Sequence, residues 1–199
     1  MESTLKHSNI DGTEATKSSD GVKVANRRTI RSSDFLLRFL AFAATLVAAI
    51  LIGVSKQTKT MPIVVVANLP PIDVEVVAKW QYQSSFKYIM ASNIIACVYA
   101  AVSLVLSVTN RAGTRSLVLT LIILDLLMAS LLFSSNGAAG AVGLLGYQGN
   151  SHVRWNKVCN TFGFFCRHMA ASVAVSTIGA FNYLLLIVLA VFSLHKGSG

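Results

Sequence analysis

Two ionisable residues stand inside stretches that are otherwise apolar: Arg38, just after Phe35, and Asp125, eight residues beyond Leu117. An ionised group in hydrocarbon costs at least ~3 kcal/mol and persists only with a partner or a path to water. Two chemistries follow. Asp125 could titrate as a relay for protons or ions, or Arg38 and Asp125 could neutralise each other as a structural pair. Transport sites gather several polar groups and broken helices, and few polar residues accompany these two, so the sequence favours the structural pair. Arg38 lies about one turn into its run and Asp125 about two and a half, an axial offset of roughly 9 Å at 1.5 Å per residue, most of which a long Arg side chain can close. The alternative is that Arg38 snorkels to the interface, leaving Asp125 protonated or dependent on other groups.

A second cluster lies in one polar stretch: His152, Trp155, Cys159, Phe165, Cys166 and His168. Its two cysteines and two histidines offer four ligands for zinc, but the spacing is not that of a known metal motif. In an oxidising compartment a Cys159–Cys166 disulfide is the more economical reading, so no metal or other cofactor is expected. Cys97, inside an apolar run, reads as a small inert hydrophobe. The third feature is a glycine series, Gly137, Gly140, Gly143, Gly146 and Gly149, at every third position. Small residues let membrane helices approach closely, and similar spacing recurs as Ala44 with Ala48, Ala49 with Gly53, and Ser172 with Ser176. Packing within a helix bundle, or a loose helix end, accounts for the glycines more simply than an oligomer interface does.

The elements that must position these residues follow from composition. With 199 residues, 54% hydrophobic and only 13% charged, and a mean hydropathy of +0.62, the chain suits a bilayer better than water. Apolar runs at about 35–54, 88–108, 117–138 and 169–194 each approach the twenty or so residues that the hydrocarbon core requires, which predicts an all-α, four-transmembrane-helix bundle. Loops at about 55–87 and 139–168 then lie outside the cell. Residues 1–34, rich in Ser, Thr, Lys and Asp, read as a disordered cytoplasmic tail, and residues 195–199 as a cytoplasmic C-terminus. The basic cluster Lys23, Arg27, Arg28 and Arg31 before the first run puts both termini inside. The first run is too long for a cleaved signal peptide and reads as a signal anchor.

The net charge of +9 sits beside and between the spans. That pattern suits anionic lipid head groups rather than nucleic acid. No phosphate-binding loop, dinucleotide fingerprint, metalloprotease motif or nucleophile–base constellation is present, and no small-molecule substrate suggests itself, so a non-enzymatic role is expected.

These features together resemble the Casparian strip membrane domain protein-like family of plants, the CASP-like proteins, whose four-span fold is similar to that of MARVEL domains. Arg38 and Asp125 look like that family's charged pair. Trp155-x-x-x-Cys159 followed by Phe165-Cys166 looks like its second outer loop. Phe86-Lys87-Tyr88 and the stretch from Gly140-Ala141-Val142 to Gly149-Asn150 look most like the first CASP-like subfamily. The resemblance implies a multi-pass plasma-membrane protein that forms homodimers, heterodimers or higher oligomers with itself and related chains and organises a membrane platform. The segment from Lys56 to Ser85 shows nothing like the first-loop motif of the founding members, so recruitment of lignin-polymerising enzymes does not carry over. The expectation is a membrane scaffold; the alternative is a small transporter or channel using Asp125.

Overall fold

The computed structural model describes residues 11–63, 72–109, 115–149 and 157–196. Helix α1 (Asp11–Val54) leads into an antiparallel hairpin of β1 (Lys56–Ile63) and β2 (Ile72–Lys79). A 3-10 turn, Trp80–Tyr82, connects the hairpin to α2 (Ser84–Thr109), followed by α3 (Arg115–Gln148), the single-turn α4 (Val158–Thr161) and α5 (Gly163–Lys196). Four of these helices are long and apolar enough to cross a membrane, over Ser32–Val54, Ser84–Thr109, Ser116–Gln148 and Gly163–His195. The protein is therefore a four-span membrane bundle. Its hairpin lies at one end, here called the hairpin end, and the start of α1 and the finish of α5 lie at the other.

The helices form a ring: α1 packs on α2 and α5, and α3 packs on α2 and α5. Large apolar side chains such as Phe39, Val98, Val102, Ile123, Phe181 and Phe192 point away from the bundle. Its interior is instead built from small and polar residues, among them Ala41, Thr45, Ala48, Ser92, Ser172, Ser176 and Ala180. Lipid is as apolar as leucine and so does not drive apolar side chains inward; close backbone approach and interhelical hydrogen bonds hold the bundle instead. The α1–α5 seam shows this closely. A methyl group built on Gly179 would lie 3.4 Å from Thr45 Cγ2 and 3.5 Å from Ala44 Cβ, and Ser172 Oγ donates to the Ala48 carbonyl at 3.0 Å.

Several expected boundaries are corrected. Of the tail expected at 1–34, residues 1–10 lie outside the described residues and 11–34 are helical: no proline interrupts them, and a helix already nucleated by a stable span propagates cheaply. The loop expected at 55–87 contains the hairpin, and α2 begins at Ser84 rather than 88. The loop expected at 139–168 is shortened from both sides, because α3 runs to Gln148 and α5 starts at Gly163. Glycine is tolerated in membrane helices far better than in soluble ones, so the glycine series continues α3 instead of ending it. The actual stop is Gly149, with φ 72°, whose N–H bonds back to the Leu145 carbonyl at 2.9 Å; such a left-handed helix terminus favours glycine.

Candidate functional site

Arg38 and Asp125 sit on α1 and α3, diagonal helices of the ring, and their side chains meet across its interior. Arg38 is 4% exposed and Asp125 fully buried, and Arg38 Nη2 donates to Asp125 Oδ2 at 3.4 Å. The second carboxylate oxygen accepts a short hydrogen bond, 2.6 Å, from Tyr99 Oη on α2. Arg38 Nε donates to Asp34 Oδ2, one turn earlier on α1, at 3.1 Å, and Ser107 Oγ of α2 reaches the same Asp34 oxygen at 3.4 Å. Arg38 Nη1 has no hydrogen-bond partner among the described residues. The group thus joins α1, α2 and α3 in one charge-assisted network. Desolvation of a buried pair is offset in part by such additional hydrogen bonds, which Tyr99 and Asp34 supply. The sequence offered no signal for Tyr99, which reads there as one more large residue in an apolar run.

Around this network the bundle is tied by bonds to α5. Tyr183 Oη donates to the Ala96 carbonyl of α2 at 2.8 Å. Asn136 Nδ2 of α3 donates to Thr177 Oγ1 at 3.2 Å. Chains of neutral polar side chains do for α5 what the ion pair does for α1, α2 and α3.

The hairpin end is organised separately. Cys159 and Cys166 form a disulfide with Cα atoms 5.7 Å apart, fastening α4 to the first turn of α5. With both sulfurs bonded to each other, neither is a thiolate for a metal. Phe165 is buried, meets Phe86 edge-on with ring centroids 5.8 Å apart, and packs with Ile52, Ile89, Phe162 and Met169. The hairpin joins this cluster through Val76 and Ala78, and the 3-10 turn through Trp80, and Gln57 Oε1 of β1 accepts from the Phe165 backbone N–H at 3.1 Å. Trp155 and His152 lie outside the described residues. His168 Nδ1 sits 2.9 Å from the Phe164 carbonyl on its own helix, and Cys97 is a free thiol, half-buried on α2.

Beside this cluster α2, α3 and α5 leave a cavity of about 600 Å³, capped by α4 and the base of the hairpin. Gly140, Gly143 and Gly146 form part of its wall. A methyl group on Gly137, Gly140 or Gly143 would meet nothing within 4 Å. Gly137, Gly140 and Gly143 therefore do not serve the close packing within the bundle that the sequence suggested; Gly140 and Gly143 keep space open. Neither Arg38 nor Asp125 borders the cavity.

A four-span bundle with a buried interhelical ion pair and a disulfide-braced end defines a class of membrane protein. Comparison with known sequences narrows that class. Residues 27–182 match the family model described as Casparian strip membrane protein domain, and the chain belongs to this family. It is 53% identical over 175 residues to CASP-like protein 1E2 of Vitis vinifera, covering 88% of this chain and 90% of that one. It is 50% identical over 198 residues to CASP-like protein 1E1 of Ricinus communis, covering 100% of both, and 44% identical over 181 residues to CASP-like protein 1E1 of Arabidopsis thaliana, covering 90% and 93%. No solved structure matches the chain.

Proposed function

We propose that this protein is a non-enzymatic scaffold of the plasma membrane that assembles with itself and with related family members. The observation that carries the reading is the closure of the charged site. Arg38 and Asp125 are enclosed among three helices, held by Tyr99 and Asp34, and the 600 Å³ cavity borders neither of them. A transport site needs its titratable group open to water on at least one side; here the charges are used to join helices. What the protein offers partners is its outward apolar faces, its hairpin and its disulfide-braced end. The basic cluster Lys23, Arg27, Arg28 and Arg31 supports cytoplasmic termini and contact with anionic lipids, which puts the hairpin and disulfide outside, where an oxidising environment maintains the bond.

Single-molecule subunit counting on tagged protein at low expression tests the proposal. Discrete oligomers are expected from wild type, with Arg38→Ala and Asp125→Asn losing assembly or reaching the surface poorly. Strictly monomeric wild-type protein would overturn self-assembly, and a correctly localised Asp125→Asn protein that had lost an ion flux would establish the transporter instead.

A further inference from the structure

We propose that the cavity at the hairpin end is a binding site for the chain of an anionic, single-tailed amphiphile such as a long-chain fatty acid, with its head at Lys79. The first argument is space. The groove is open along one side, where Leu144 and Tyr147 are exposed, and its volume of about 600 Å³ falls within the range of small-molecule sites. The lining is apolar, from buried Ala139 and Met169 to Val173 and Ala174 farther along α5, and water gains no hydrogen bonds from such a surface. Because the walls are membrane spans, the medium at the open side includes hydrocarbon chains.

The second argument is how the space is kept open. At Gly140 and Gly143 even a methyl group would find nothing within 4 Å, so side chains there would project into the cavity. The third argument is polarity at one end. Lys79 and Gln83 lie on the rim, at the opposite end of the cavity from Val173 and Ala174 along the spans. Lys79 has no salt bridge among the described residues; its ammonium lies 5.9 Å from the Tyr82 ring centroid. In the hairpin register Lys79 faces Lys56 directly, and like charges directly opposite are destabilising. An anionic head group beside this pair relieves that repulsion, while its tail fills the apolar depth. A neutral occupant satisfies only half of the site.

The test uses full-length protein in nanodiscs and a photoactivatable, alkyne-tagged palmitic acid, with the matching fatty alcohol as the uncharged probe. Crosslinks are expected on peptides spanning 139–147 and 165–174, saturable by unlabelled palmitic acid and at least fivefold weaker with the alcohol. Gly143→Leu should cut labelling at least fivefold and Lys79→Gln severalfold. Val98→Leu, on an outward face, should leave it unchanged. The competition on wild-type protein decides the matter even if Gly143→Leu fails to fold. Non-saturable labelling spread over all outward helix faces would overturn the proposal, as contact with bulk lipid only. So would equal labelling by acid and alcohol, or a second copy of the chain crosslinking through Tyr147→Cys in place of the probe.

Discussion

Tyr99 on α2 donates a 2.6 Å hydrogen bond to Asp125 on α3, and this contact turns a two-helix ion pair into a three-helix junction. Asp125 accepts on one oxygen from Arg38 and on the other from Tyr99. Arg38 in turn is oriented by Asp34, the half-exposed member of the group. Charge and hydrogen bond are coupled, so the junction should respond to substitution as a unit.

Removing one member of the ion pair leaves the other buried without compensation, a loss of about 3–5 kcal/mol. Asp125→Leu and Arg38→Met should each lower the unfolding midpoint strongly in a detergent titration. The double substitution should recover much of that loss, because an apolar pair of similar volume leaves no fully buried charge, only the part-exposed Asp34 without its cation. Double-mutant losses equal to the sum of the single losses would show that the two residues do not interact.

Tyr99→Phe isolates the hydrogen bond from the ring. The tilted stacking of Tyr99 on Tyr183, with centroids 6.0 Å apart, survives the change, while the bond to a buried carboxylate, worth roughly 1.5–3 kcal/mol, is lost. The variant should fall between wild type and Asp125→Leu in the same titration. In an Asp125→Leu background it should have little further effect.

The spans and the residues of the ion pair were legible because apolar length and a charge within it are one-dimensional signals. Tyr99 was not, since its hydroxyl matters only once α2 has turned it toward Asp125. The hairpin was missed for a different reason. Thr58, Thr60, Val74, Val76 and Val77 have the β-branched character of strands, but eight residues, 64–71, separate β1 from β2, and no two-residue turn signal links them. The glycine series misled in the opposite direction. Its spacing resembles a helix-packing motif, yet Gly179, outside the series, makes the close contact. Spacing identifies a small-residue stripe, and the ring order of the helices decides whether anything packs on it.

The disulfide should be present in protein from an oxidising compartment and should matter to local stability. Cys159 and Cys166 are separated by seven positions, and closing so short a loop stabilises by about 2–3 kcal/mol in the chain-entropy account. Non-reducing peptide mapping should find residues 159 and 166 linked. Cys159→Ser with Cys166→Ser should raise protease sensitivity around α4 and the start of α5 while leaving the Arg38 junction intact, because the two regions belong to separate clusters. Free thiols at both positions in protein taken from the cell surface would contradict the pairing.

Two glycine substitutions should have opposite consequences. Gly179→Leu forces bulk into the α1–α5 seam, where Thr45 Cγ2 already lies 3.4 Å from the first added carbon. Overpacking of this kind costs about 1–3 kcal/mol, and the variant should unfold earlier and express poorly. Gly140→Ala adds a methyl group that meets nothing within 4 Å, and alanine favours the helix over glycine by roughly 0.5–1 kcal/mol. That variant should be as stable as wild type or slightly more so. Equal destabilisation by both would mean that another chain covers Gly140 in the membrane, an arrangement that crosslinking from Tyr147→Cys would then locate.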